Sequence, residues 1–234
     1  MSSGNRTVMV TGAAGNLGKA VANAFAELGE NLVLVDLKRE ALEEAFGSES
    51  NRRSFAPANL LGMTEATGVA QAALARFGRI DVLCNIAGGF RMGESVHETS
   101  DENWNFLFDI NTRTLLHAVR AVVPHMLSAG GGKIVNIGAF AAQKGMAGMG
   151  AYTAAKATVI RMTEAMAGEL REKNINVNCV LPTIIDTPEN RAAMPKADPA
   201  KWVAPTDLAN VIVFLASDAA RAVHGAAVPV TALS

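Results

Sequence analysis

The feature that most constrains this chain is an alternation that runs from end to end. Short, β-branched apolar runs take turns with longer stretches of helical period. Runs at 6–11 (RTVMVT), 31–36 (NLVLVD), 52–56, 80–85 (IDVLCN), 132–138 (GKIVNIG), 174–181 and 226–230 predict strands. Stretches at 16–28, 38–46, 64–77, 101–128, 150–172 and 205–216 predict helices. Several strand runs are apolar at nearly every position rather than every second one, as strands covered on both faces require. The pattern predicts an α/β fold, a doubly wound Rossmann-type parallel sheet of about seven strands with helices on both faces and right-handed crossovers.

A chain of 234 residues, half of them apolar, can bury one substantial core, and no repeat or linker divides it, so one domain over 1–234 is expected. One stretch breaks the rhythm: LPTIIDTPENRAAMPKADPAKWVAP carries five of the eight prolines between the sixth strand and the last helix. Long loops of this kind in compact domains serve as lids, and a substrate lid is expected at about 183–204.

A formal net charge of −1 argues against nucleic acid and anionic membrane surfaces as partners, leaving a small-molecule substrate. Cys84 and Cys179 each sit in an apolar strand run, which suits buried, reduced thiols in a cytoplasmic protein. The first residues lead into a strand without an apolar leader, and no stretch approaches the roughly 18 apolar residues of a membrane span. His97, His117, His125 and His224 show no metal-ligand spacing, so no metal site is expected.

In a doubly wound sheet, ligands sit beyond the carboxyl ends of the strands, at the switch point beside the first one. The run TGAAGNLG lies there, with Gly12, Gly15 and Gly18 between a strand and a helix start and Asn16 and Leu17 opening the helix. Glycines let the backbone turn sharply and approach a pyrophosphate, while the helix N-terminus offers unpaired N–H groups to its charge. Asp36 ends the second strand 18 residues after Gly18, near the spacing of the acid that binds the adenosine ribose hydroxyls. A carboxylate there repels a 2′-phosphate and Ala14 offers no counter-charge, which favours NAD over NADP; Lys38 and Arg39 keep NADP open.

Tyr152 is the only tyrosine, and Lys156 follows it by four residues, so both lie on one face of a predicted helix. A free phenol, with a pKa near about 10, carries protons poorly at neutral pH. A neighbouring ammonium favours the phenolate and draws that value down. Tyr152 is therefore expected to be the general acid in reduction and the base in oxidation, with Lys156 tuning it and bonding a nicotinamide ribose.

Together, TGAAGNLG, NIAG at 85–88, Asn111 in DINT, Tyr152 with Lys156, and LPTIIDT after the sixth strand resemble the short-chain dehydrogenase/reductase family over essentially the full length. The resemblance implies an NAD(P)-dependent oxidoreductase. It adds Asn85, Ala87 and Gly88 to the cofactor site and places Asn59 and Leu60 beside the adenine. Pro182, the backbone near Ile185 and the Thr187 hydroxyl would hold the nicotinamide end. Asn111 would join the catalytic set, supporting a water-linked proton path to Lys156. A homodimer or homotetramer is implied as well. Two departures are visible: Asn59 stands where the family more often has Asp, and Thr183 replaces the glycine that usually follows Pro182.

The family's usual serine, some 13 residues before the tyrosine, is missing. That position is Ala139, preceded by Gly138, and no serine or threonine lies between it and Tyr152. Losing a donor at a developing oxyanion costs about 3 kcal/mol of transition-state stabilisation. One resolution is a substitute donor, for which Gln143 is the nearest side chain. The other is a conjugated substrate in which charge never gathers on one oxygen. GAFAAQKGMAGMGAYTAAK, LCNIAGGF and the lid sequence are similar to the dihydropteridine reductase branch, which carries Gly-Ala at the same place, although Asn85 and Asn111 look like the general dehydrogenase pattern. A quinonoid dihydropteridine-like substrate is thus expected. A carbonyl reductase or alcohol dehydrogenase of ketone or 3-oxoacyl type and a non-catalytic NAD-sensing module are the alternatives. Phe90, Phe140, Met146, Met149, Met194 and Trp202 are candidates for an apolar substrate wall.

Overall fold

The computed structural model describes residues 5–234. Seven parallel strands form one sheet: β1 (Thr7–Thr11), β2 (Asn31–Asp36), β3 (Arg53–Pro57), β4 (Val82–Asn85), β5 (Gly132–Ile137), β6 (Ile175–Pro182) and β7 (Ala227–Val230), in the order β3-β2-β1-β4-β5-β6-β7. The order reverses at β1, which pairs with both β2 and β4 and opens a crevice at their carboxyl ends. β1 and β6 are buried along their whole length, which suits their largely apolar composition, and the buried Asn176 and Asn178 of β6 donate to the Arg221 and Val223 carbonyls.

Helices cover both faces. Met9, Val33, Leu83, Ile134 and Val177 pack under α3 (Met63–Phe77), α5 (Thr114–Ala129) and α6 (Gly150–Leu170). Their strand neighbours Val8, Val10, Leu34, Val135 and Val180 turn the other way, under α1 (Asn16–Glu27), α2 (Arg39–Phe46) and α8 (Pro205–Leu215). Gly78 and Gly130 end α3 and α5 in the left-handed conformation that a Cβ disfavours. Among the described residues no helix is long and apolar enough to cross a membrane.

Two expectations are corrected. The helix expected over 101–128 is α4 (Asp101–Phe108), a π-helical turn at Asp109–Arg113, and α5. The lid stretch contains a short helix, α7 (Pro188–Ala193), capped by Thr187, whose side chain accepts from the Asn190 amide, with Pro188 in the first turn.

Candidate active site

The crevice at the switch point is a cleft of about 1990 Å³ bounded by the glycine loop, the ends of β2, β4 and β5, the start of α6 and the lid. Its floor depends on close backbone approach. A Cβ on Gly18 would lie 2.1 Å from the Gly12 carbonyl oxygen, and one on Gly12, at φ +63°, would lie 2.8 Å from Ala87 Cα. A Cβ on Gly15 would meet only Gly12 O, at 3.4 Å, so the loop's outer face is open. Thr11 ties this loop to the next strand end: its hydroxyl oxygen accepts from the Ile86 and Ala87 amides, both at 3.1 Å. Asp36 accepts from the Ala14 amide at 2.9 Å, which fixes its carboxylate beside the loop. A tight glycine turn, a helix start with open backbone and an acid at the end of β2 fit the adenosine diphosphate half of a dinucleotide.

Gly12, Asn16, Leu17, Gly18, Asp36, Asn59, Leu60, Ala87 and Gly88 line this cleft, as do Tyr152, Lys156, Pro182, Ile185 and Thr187. Asn85 does not. Alternation along β4 turns its side chain under the helices, 4% exposed, where Nδ2 donates to Asn136 Oδ1 at 2.9 Å. Asn111 is also buried off the cleft wall, because the π turn aims its carboxamide at Gly89. Its Oδ1 accepts from the Gly89 amide and its Nδ2 donates to the Gly89 and Leu107 carbonyls. Gly88 lies between this carboxamide and the lysine: a Cβ there would be 2.9 Å from Asn111 Oδ1 and 3.2 Å from Lys156 Nζ.

Tyr152 and Lys156 both face the cleft, yet their electrostatics differ from the sequence-based expectation. Lys156 lies deeper, 5% exposed, and its ammonium donates to the Ile137 carbonyl at 2.9 Å. Burial lowers its pKa to about 8 against a smaller opposing effect of the Cys179 thiol. Burial alone pushes the Tyr152 phenol up to about 12. The phenol is thus held in its protonated form, rather than drawn toward phenolate by the lysine.

Ala139 is 4% exposed and packs in an apolar cluster with Ala142, Ile160, Cys179, Leu181 and the Tyr152 ring. A Cβ on Gly138 would lie 2.5 Å from Leu181 Cδ2, which accounts for the glycine before Ala139. Phe90 meets Tyr152 edge to face, with ring centroids 4.8 Å apart. Phe90, Phe140, Met146, Met149 and Met194 line the cleft, whereas Trp202 is buried and does not. The Gly93 amide donates to the Gly148 carbonyl at 2.7 Å and joins the two loops that carry Met92 and Met149. Gln143 also lines the cleft, near Ala139.

Asn190, Glu189, Thr231 and Ser234 join the site as partners that the sequence does not single out. Asn190 Nδ2 donates to the Ile185 carbonyl at 2.8 Å, so that carbonyl is already engaged. Asn16 Nδ2 donates to Glu189 on α7. Thr183 donates to the Thr231 carbonyl and shares a hydrogen bond with Ser234. The Thr-Pro-Glu-Asn run at 187–190 was the available signal for α7: a capping hydroxyl followed by a first-turn proline. Cys84 and Cys179 are free and buried, and no metal-binding cluster occurs among the described residues.

The family model for the short chain dehydrogenase matches residues 6–198. The chain belongs to the short-chain dehydrogenase/reductase family. As a member it is an NAD(P)-dependent oxidoreductase. It is 34% identical over 232 residues to (2S)-[(R)-hydroxy(phenyl)methyl]succinyl-CoA dehydrogenase subunit BbsD of Thauera aromatica, covering 94% of this chain and 93% of the relative. It is 31% identical over 231 residues to the 3-oxoacyl-[acyl-carrier-protein] reductase FabG of Thermotoga maritima, covering 94% of each. Carveol dehydrogenase from Mycobacterium avium, solved in complex with NAD, superposes with a TM-score of 0.89 at 27% identity over 98% of this chain and 97% of that one.

Proposed function

We propose that the protein is an NADH-dependent reductase of a planar, conjugated substrate of quinonoid dihydropteridine type, with Tyr152 as proton donor and Lys156 and Asn111 completing the catalytic set. The observation that carries this reading is the methyl group of Ala139, buried in an apolar cluster against Tyr152 where a hydroxyl donor would otherwise stand. A localised alkoxide would form beside that methyl without a second hydroxyl donor to accompany Tyr152, whereas a conjugated ring spreads the same charge. Apolar side chains at Phe90, Phe140, Met146 and Met149 suit such a ring.

The dinucleotide supplies the hydride. Tyr152, held protonated by burial, gives its proton to the far end of the conjugated system. Lys156 anchors to the Ile137 carbonyl and keeps a cation below the cleft floor, while Asn111 holds the Gly88–Gly89 backbone against it. Gly12, Asn16, Leu17, Gly18, Ala87 and Gly88 form the diphosphate cradle, Asn59 and Leu60 the adenine edge, and Pro182, Ile185 and Thr187 the nicotinamide end. NAD is preferred because the Asp36 carboxylate, fixed beside the glycine loop, repels a 2′-phosphate, and Arg39, one of the two cations that keep NADP open, is committed to Glu43 and Glu49, leaving Lys38 as the other. Exposed Trp104, Leu116 and Leu127 on α4 and α5 support assembly as a homodimer or homotetramer.

A second reading, reduction of ketones or 3-oxoacyl thioesters, is favoured by Gln143 on the cleft wall and by the activities that the names of BbsD and FabG state. The test is NADH oxidation by the purified protein with freshly generated quinonoid dihydropterin, diketones and acetoacetyl thioesters, each repeated with Tyr152→Phe. Turnover confined to the quinonoid substrate supports the first reading, and robust ketone reduction replaces it with the second.

A further inference from the structure

The lid touches the glycine loop through one polar contact between residues 173 apart in sequence: Asn16 Nδ2 donates to Glu189 Oε2 at 2.8 Å. Both residues line the cleft. Asn16 is the first residue of α1, whose first turn contains no acidic side chain and whose cap, Gly15, makes no side-chain bond. The Glu189 carboxyl is held below the usual carboxylate range by its own backbone N–H, then by the Thr187 hydroxyl, with Asn16 and the Lys19 ammonium adding to the effect. An anionic lid side chain therefore stands at the start of α1, where a glycine-rich turn offers its N–H groups to phosphate.

We infer that Glu189 is a latch that competes with the diphosphate of the dinucleotide for Asn16, so that it lowers cofactor affinity and couples release of α7 to cofactor entry. This rests on the dinucleotide site described above. A diphosphate on the loop meets a second anion unless the carboxylate yields, and yielding removes the polar tie between α7 and α1. Glutamine at 189 keeps a carbonyl for Asn16 and removes the charge.

The 234-residue protein is titrated with NADH, and with ADP-ribose and adenosine by competition, as wild type and as Glu189→Gln. Neutralising one nearby charge is expected to tighten NADH and ADP-ribose about tenfold at low ionic strength, a gain that shrinks with added salt. Adenosine, which carries no phosphate, is expected to bind both proteins alike. Hydrogen exchange gives a readout independent of affinity. The amides of Arg191 and Met194 bond back to the Thr187 and Asn190 carbonyls within α7, and ADP-ribose is expected to speed their exchange in the wild type. Unchanged or weaker ADP-ribose binding in Glu189→Gln, or unchanged or slower exchange at α7, overturns the latch. A wild type that binds neither NADH nor ADP-ribose overturns the dinucleotide site, and the latch with it.

Discussion

Replacing Ala139 with serine tests why the site lacks a hydroxyl. Ala139 is extended, at φ −155° and ψ 143°, with its methyl in the cluster that contains the Tyr152 ring. Serine adds one oxygen to that methyl and leaves the backbone conformation available. A well-placed oxyanion donor contributes about 10²- to 10³-fold to kcat. Burying a hydroxyl among Ala142, Ile160 and Leu181 separately costs about 1–3 kcal/mol of fold stability when it is unpaired, and imperfect aim at the substrate oxygen lowers the rate gain. The net expectation is a rise of about 10- to 100-fold in kcat/KM for a simple diketone, from a low wild-type value, with a melting temperature lowered by a few degrees. Turnover of quinonoid dihydropterin is expected to change less than about threefold, because its charge does not gather at that position. The assay is the initial rate of NADH oxidation over a substrate series, with calorimetry on the same samples. A folded Ala139→Ser protein that gains nothing with ketones would show that residue 139 is not beside the substrate oxygen. Equal gains with both substrate classes would remove the argument from charge delocalisation.

Three further outcomes are expected. Tyr152→Phe lowers kcat with every accepted substrate by about 10²- to 10⁴-fold while the NADH dissociation constant, measured by titration, stays within about twofold. Gly18→Ala places a Cβ 2.1 Å from the Gly12 carbonyl oxygen and is expected to cost about 1–3 kcal/mol in urea unfolding and to abolish NADH binding; Gly15→Ala, facing only Gly12 O at 3.4 Å, should retain wild-type stability. Burial lowers the Lys156 pKa from 10.5 to about 8, so the unfolded chain binds more protons than the folded one between those values, and this group's contribution raises stability as pH rises from about 8 to 10.5. Lys156→Met is therefore expected to gain at most about 3 kcal/mol at pH 7 relative to wild type, to lose that gain by pH 10.5 and to be inactive, all read from urea midpoints and rates.

What the sequence made legible follows from what periodicity encodes. Short apolar runs between stretches of helical period mark all seven strands to within a residue or two, the partly exposed edge strands β3 and β7 included, and the glycine run after β1 marks the switch point. The π turn at Asp109–Arg113 left no mark because a one-residue shift in hydrogen bonding does not interrupt an apolar stripe, yet it is what turns Asn111 onto Gly89. Asn85 was assigned to the cofactor site from its place in NIAG, although strand alternation after Leu83 already sends its side chain under α5 and α6. Trp202 shows the converse: a place within the lid stretch says nothing about depth, and the ring is buried away from the cleft.

The Tyr152/Lys156 pair shows where spacing stops being informative. Four residues place two side chains on one helix face, but the electrostatic result depends on how deeply each tip is buried and what it bonds. Here the lysine bonds the carbonyl at the carboxyl end of β5, while the phenol packs against Ala139, Phe90 and the surrounding apolar groups. The same desolvation that raises the phenol depresses the ammonium, so the two groups move away from mutual ionisation rather than toward it. A phenol raised to about 12 is protonated at neutral pH but is a weaker acid than a free one, and giving up its proton leaves the same buried phenolate from which the reverse reaction starts, so burial by itself favours neither direction.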